Sequence, residues 1–288
     1  MNFSHTLFRP PAEADSLILR IADGCPWNQC AFCGMYKGVS CVFQSLEKIT
    51  RDISNHWKKW PEARRIFLAD GDVMHLDFQT LETILVLLNN KFARLARVSL
   101  YANGASILAK TDEQLHRLKA LKLHTLYMGL ESGDDLTLHA MKKRETAADM
   151  ILAGQRAQAA GLRMSVMALI GLAGTERSHE HACATAAALN QMQPRLFSAL
   201  RLIVTPNTPL ARNGFKMLTE YEAVSETREL IQRLDLEQTI FRADHASNII
   251  PLEARLPRDK SRLLGELDTL LASGRLDQAS PGRMPFWL

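Results

Sequence analysis

Residues 23–38 read DGCPWNQCAFCGMYKG and put Cys25, Cys30 and Cys33 on one short loop with the spacing C-x4-C-x2-C. Soft thiolates this close together select zinc, copper(I) or an iron–sulfur cluster. A structural zinc site takes four ligands, and neither Cys41, Cys183 nor any of the nine histidines stands at a spacing that supplies the fourth. A four-iron cluster held by three thiolates leaves one iron without a protein ligand, where substrate or cofactor can bind. The motif by itself leaves cluster, zinc and unliganded buried thiols all open.

Just ahead of the loop, residues 16–22 form an apolar run that reads as a strand, and further short runs rich in β-branched residues recur at 65–69, 97–102, 125–130, 163–170 and 199–204. Amphipathic segments lie between them. Leu46, Ile49, Ile53 and Trp57 share one helical face, as do Leu81, Ile84, Leu85 and Leu88, and then Leu115, Leu118 and Leu121. Thr111 with Gln114 and Thr219 with Glu222 have capping-box spacing, and Pro257 suits a first helical turn. Six successive βα units imply parallel strands with helices outside. The expectation is an α/β fold, an open, partial (β/α)6 barrel. Its core covers 14–216 after an N-terminal arm at 1–13, and 217–288 forms a C-terminal α/β extension with helices at 219–234 and 257–273.

Nearly every polar or glycine-rich cluster follows the C-terminal end of an expected strand, the edge at which parallel α/β folds build their sites. The first strand leads into the cysteine loop. The next five end in ADGD (69–72), YANG (101–104), GLESGDD (129–135), IGLAGTE (170–176) and TPNTP (205–209). Each loop taken singly reads as a strand terminator, but Asp70, Asp72 and Glu131 recur on the same rim.

Composition narrows the class. The chain has 288 residues, 47% of them apolar, and no run approaching the roughly 18 apolar residues that span a bilayer. Its N-terminus lacks a basic flank before an apolar stretch, which argues for a cytoplasmic protein. Five cysteines, three of them clustered, do not form the paired pattern of a disulfide scaffold. A net charge of +4 with short basic clusters lacking aromatics argues against nucleic acid.

Taken with the rim loops, the cysteine motif resembles that of the radical SAM superfamily, particularly the branch of oxygen-independent coproporphyrinogen oxidases and their relatives, over about residues 16 to 215. The resemblance implies a radical SAM enzyme with a [4Fe–4S] cluster on Cys25, Cys30 and Cys33. Its open iron would chelate the amino and carboxylate groups of S-adenosyl-L-methionine, and one electron would break the S–C5′ bond to leave a 5′-deoxyadenosyl radical. That electron would come from a donor such as flavodoxin or ferredoxin. Phe32 resembles the aromatic position beside adenine. Asp70-Gly71-Asp72 resembles the Gly-Gly-Glu motif that holds the methionine amino group, with Asp72 as the carboxylate. Glu131 matches the polar strand-four position near ribose or amino group, Lys143 in MKKRE a basic residue that pairs with the SAM carboxylate, and Asn103 a ribose contact. Gly171 in IGLAGTE would bring backbone to adenine, with Leu202 and Val204 flanking the base. Two departures stand out: C-x4-C replaces the commoner C-x3-C, and Asp70 replaces the first glycine of Gly-Gly-Glu.

The spare cysteines, Cys41 and Cys183, are too few for an auxiliary cluster. A single cluster in a chain of this length points to hydrogen abstraction from a small or medium-sized substrate. FRADHASN (241–248) follows an expected strand at 238–241, and its Arg242 and His245 are candidates for substrate contact, with Asp244 and His245 equally able to pin the loop. Cys41 is a candidate hydrogen donor, His75 is an unassigned rim residue, and Cys183, in an apolar helical pattern, reads as core. Two other readings stand beside the enzyme: a cluster- and SAM-binding haem carrier or chaperone without turnover, and a zinc-stabilised RNA-binding protein.

Overall fold

The computed structural model describes residues 7–282. Positions 1–6 of the expected arm lie outside the described residues. Strands and helices alternate along the chain: β1 (Leu17–Arg20), β2 (Ala22–Asp23), β3 (Val42–Phe43), α1 (Leu46–Lys59), β4 (Arg65–Ala69), α2 (Phe78–Lys91), β5 (Arg97–Tyr101), α3 (Gly104–Leu108), α4 (Asp112–Ala120) and β6 (Leu123–Glu131). There follow α5 (Asp135–Ala140), α6 (Ala147–Ala159), β7 (Arg163–Ile170), α7 (Ser178–Met192), β8 (Leu196–Arg201), α8 (Pro209–Arg212), α9 (Glu220–Arg233), β9 (Thr239–Arg242), β10 (Glu253–Leu256) and α10 (Lys260–Ala272).

These elements fall into two compact units. The first takes in Met1–Asn28, Met35–Met128 and Leu152–Met164. There β1 pairs parallel with β4, β4 with β5, and β5 with β6, while β2 and β3 make a small antiparallel ribbon. Helix α2 covers these strands with Leu81, Ile84, Leu85 and Leu88, each at most 1% exposed, as the sequence pattern requires. On α1 only Ile49 and Ile53 of the expected face are buried. Leu46 and Trp57 are exposed, and Lys91 Nζ lies 4.9 Å from the Trp57 ring centre. Ser45 and Asp77 cap α1 and α2, and Thr111 with Gln114 closes the expected capping box on α4.

The second unit takes in Gln29–Gly34, Gly129–Ile151 and Ser165–Leu288. Here β7 pairs parallel with β8 and β8 with β9, and β10 runs antiparallel along β9. The expected helix at 219–234 is α9, opened by the Thr219–Glu222 capping box. The strand expected at 199–204 lies three residues earlier, because its ladder with β7 ends at Arg201 and the apolar residues beyond it pack side chains rather than pair backbone. Pro257 precedes α10 by three residues instead of sitting in its first turn. The helix starts after Asp259, whose carboxylate accepts the Arg255 N–H at 2.8 Å. Strand β10 had no counterpart in the sequence reading. The architecture is mixed α/β with mostly parallel strands, the class expected.

Candidate functional site

In the first unit Gly71 sits against Cys25. A Cβ on Gly71 would lie 2.5 Å from the Gly24 carbonyl oxygen and 2.7 Å from the Cys25 Cα, so only glycine fits. The two acids flanking Gly71 face different tasks. Asp70 is fully buried, accepts a 2.8 Å hydrogen bond from the Tyr36 hydroxyl and lies 3.9 Å from the Arg20 guanidinium. Tyr36 is itself buried, and desolvation together with the Asp70 charge drives its hydroxyl far above the ordinary phenol range. Asp70 therefore fixes the loop from below.

Asp72 accepts from Ser106 Oγ at 2.6 Å, from Asn103 N at 3.2 Å and from Asn103 Nδ2 at 3.1 Å. Burial raises its pKa, and those hydrogen bonds pull the other way. Two expected cofactor residues, Asp72 and Asn103, are thus joined in one constellation. His75 stacks on Phe43 and favours the Asp72 carboxylate electrostatically. Cys41 follows Ser40, and its backbone lies 3.2 Å from where a Gly24 Cβ would stand. Burial, then Cys25, Asp72 and Asp70, raise its thiol pKa.

In the second unit the segment 29–34 is clamped at both ends. Ala31 N–H donates to the Met141 carbonyl at 2.8 Å, and its own carbonyl accepts from Leu210 N–H at 3.1 Å. Asn207 Nδ2 donates to the Gly34 carbonyl at 2.9 Å, and a Cβ on Gly34 would meet Thr205 Oγ1 at 2.5 Å. Ala31, Met141, Leu172, Leu202 and Leu210 form a buried apolar cluster, with Phe32 and Val204 packed on it. The three residues expected around a base, Phe32, Leu202 and Val204, are brought together.

Glu131 has φ +64°, and its side chain folds back over Gly129 into space that a Cβ there would fill. Lys143 Nζ lies 3.9 Å from Glu131 Oε1, with the two side chains only 6% and 14% exposed. Lys143 is therefore no solvated helix end. Burial raises the Glu131 pKa, Lys143 lowers it and Glu145 raises it further.

Gly171, at φ +84°, donates its N–H to Glu226 Oε1 at 2.7 Å, and Ser178 Oγ donates to Glu226 Oε2 at 2.5 Å. Burial pushes Glu226 up to about 7 and His181 down to about 4. Their 3.5 Å contact is therefore no ion pair at neutral pH. A neutral His181 with Nε2–H toward Leu169 O at 3.1 Å accepts from Ser132 Oγ at 2.7 Å through Nδ1. Glu226 and His181 thus brace the rim loops after β7 and β6. Like Tyr36 and Ser106, they carry no local motif and escaped the sequence reading.

In FRADHASN, Arg242 pairs with Glu253 at 3.4 Å on the neighbouring strand. His245 Nδ1 accepts from Ser247 N at 3.1 Å, and burial lowers its pKa. Asn248 binds Arg201 N and the Ala199 carbonyl, both at 2.9 Å, which pins this loop to β8. Cys183, expected in the core, is half-buried: it lies beside the buried stripe of Ala182, Thr185, Ala186 and Leu189 on α7 rather than on it.

All five cysteines are thiols. Three soft donors on one nine-residue stretch, with bare glycine backbone beside Cys25 and next to Cys33, fit an iron–sulfur cluster. The profile of the Radical SAM superfamily matches residues 19–184, more than half of the 288. The chain belongs to the radical SAM superfamily. The radical SAM family uses a [4Fe–4S] cluster and S-adenosylmethionine, and the chain is accordingly an enzyme with those cofactors, its substrate unspecified.

No curated protein matches the chain in sequence. Solved structures do match in fold. The FeFe-hydrogenase maturase HydG from Carboxydothermus hydrogenoformans is 20% identical with a TM-score of 0.53, covering 87% of this chain and 56% of its own. Methylornithine synthase PylB is 14% identical with a TM-score of 0.54, covering 88% of this chain and 81% of its own. Coproporphyrinogen III oxidase HemN from Escherichia coli is 14% identical with a TM-score of 0.56, covering 75% and 51%. The radical SAM chain spans about half the length of the HydG structures it resembles. At these identities the likeness is one of fold. No helix among the described residues is long and apolar enough to cross a membrane.

Proposed function

We propose that this radical SAM enzyme cleaves S-adenosylmethionine reductively and abstracts hydrogen from a small or medium-sized substrate, with Cys25, Cys30 and Cys33 as the protein ligands of its cluster. The observation that carries the reading is the packing of Phe32, Leu202 and Val204 on one buried apolar cluster, immediately beside two of those cysteines in the chain. Such a surface suits an adenine ring. When bound, the reduced cluster supplies the electron that splits the S–C5′ bond of SAM into methionine and a 5′-deoxyadenosyl radical.

The chain's own residues do the placing. Lys143 offers a partly desolvated cation to the SAM carboxylate, and Glu131, paired with it, an acceptor for ribose or the amino group. Asp72, held by Asn103 and Ser106, presents a fixed carboxylate to the amino group. The backbone of Asp70 and Gly71 can run close to SAM because Gly71 carries no side chain. Gly171, its N–H committed to Glu226, brings the β7 loop to the base with its geometry set. Arg242, His245 and Cys41 remain the candidates for contact with substrate. We place the core at 14–216 and the extension at 217–288, with a flavodoxin or ferredoxin as reductant in the cytoplasm.

The test is anaerobic reconstitution with iron and sulfide, followed by reduction with dithionite in the presence of SAM. The expected result is a brown protein with about four irons per chain that forms 5′-deoxyadenosine. A chain that takes up no iron and sulfide, or forms no 5′-deoxyadenosine, overturns the reading.

A further inference from the structure

His179 and Cys183 stand one turn apart on α7, and Glu229 reaches them from α9. The Cys183 Sγ lies 3.5 Å from His179 Nε2, and Glu229 Oε1 lies 3.4 Å from His179 Nδ1. One ligand atom from each residue falls within 4.8 Å of the others. The group borders a groove of 460 Å³ lined by Cys183, Ala186, Ala187, Asn190, Gln232 and Arg233. None of these residues takes part in the chemistry described above.

We propose that His179, Cys183 and Glu229 bind one divalent ion of the zinc class. Tetrahedral bonds of about 2.0 Å to nitrogen and about 2.3 Å to sulfur set ligand atoms roughly 3.5 Å apart; one ion takes only one of the two ring nitrogens, so the three ligand atoms, now within 4.8 Å of one another, draw in to that separation as the ion binds. A thiolate with an imidazole and a carboxylate favours zinc over calcium or magnesium, which take oxygen ligands. Three protein ligands leave the fourth position to water from the groove. The Cys183 thiol gives up its proton to solvent as the metal–sulfur bond forms. Without metal, the Arg233 guanidinium lies 2.5 Å from Glu229 Oε1, so a positive charge already occupies the carboxylate and the ion must displace it. The bound ion ties α7 to α9 and requires no cluster and no SAM.

The experiment adds zinc to the reconstituted holoenzyme, removes loosely held metal with a competing chelator, and records zinc content and the zinc K-edge fine structure. One zinc per chain with a single sulfur and otherwise nitrogen or oxygen neighbours is expected. Cys183→Ser and His179→Ala should each weaken retention at least about 100-fold while 5′-deoxyadenosine formation, the control for folding, holds. Arg233→Gln should strengthen it several-fold. Loss of zinc to the chelator in the wild type, a zinc with three sulfurs (which places it on the cluster cysteines), or retention unchanged in Cys183→Ser overturns the proposal. The zinc reading can fail with 5′-deoxyadenosine still formed, and the reverse, so the two proposals fail separately.

Discussion

The two units differ in what surrounds their buried rim residues. In the first, Asp72 is buried as an acceptor surrounded by donors: Ser106 and both nitrogens of Asn103 point at it, and Asp70 has Tyr36 and Arg20. In the second, burial raises the pKa of Glu226 as it raises that of Asp72 and keeps His181 neutral, and an apolar cluster lies under Phe32. The difference matches what each set is proposed to touch. An ammonium group needs oxygen acceptors fixed in place, whereas a base needs a dry surface and a rigid backbone.

Breaking the first arrangement should have the larger effect. Asp72→Ala leaves the Ser106 hydroxyl and the Asn103 amides without their acceptor in a closed site, a loss of about 3 kcal/mol of stability. It should lower 5′-deoxyadenosine formation by at least about 100-fold, measured in single turnover with iron content checked. Formation within about threefold of wild type would remove Asp72 from the SAM site.

The second arrangement has a pH signature. The folded chain holds the Glu226 proton up to about 7 against an ordinary 4.5, so this group loses stability for the fold as pH climbs between those values. His181, lowered from 6.5 to about 4, acts in the opposite sense and loses stability for the fold as pH falls through that range. Between 4.5 and 6.5 the two largely cancel. Glu226→Gln removes the first contribution, so the variant should gain on the wild type as pH rises from 5 to 7, by at most about 1.4 kcal/mol per pH unit. Urea unfolding of the cluster-free chain at three pH values measures this. A difference independent of pH would mean that Glu226 ionises normally.

The smallest effect is expected at the apolar surface. Phe32→Leu keeps hydrophobicity and loses the flat ring, which should cost under about 1.5 kcal/mol in stability. KM for SAM should rise roughly tenfold with kcat little changed, since about 1.4 kcal/mol of ring contact corresponds to that factor. An unchanged KM would place the base elsewhere.

Much of the fold was legible because strand and helix periods are local. The runs at 65–69, 97–102 and 163–170 fall on β4, β5 and β7 within a residue, and both capping boxes form as their spacing requires. Legibility failed where an apolar residue had a destination other than a ladder. Leu202 and Val204 extend the pattern of β8 but pack into the cluster under Phe32, and Leu46 and Trp57 continue the stripe of α1 but face solvent. Pattern records that a residue is apolar, not what covers it.

By itself the sequence determined the cysteine spacing, the alternation of strand and helix and the residue types at each strand end, and these were enough to point to a radical SAM enzyme. Only the tertiary structure decided which side chains share a site. Asp72 and Asn103 are 31 positions apart and Gly171 and Glu226 are 55 apart, yet each pair is hydrogen-bonded. The same holds for Cys183: from sequence it read as core, and the packing of α9 on α7 set Glu229 beside it and its helical neighbour His179. The physical reason is that secondary structure is written in near-neighbour periods, whereas a site is made by contacts whose partners no local pattern names.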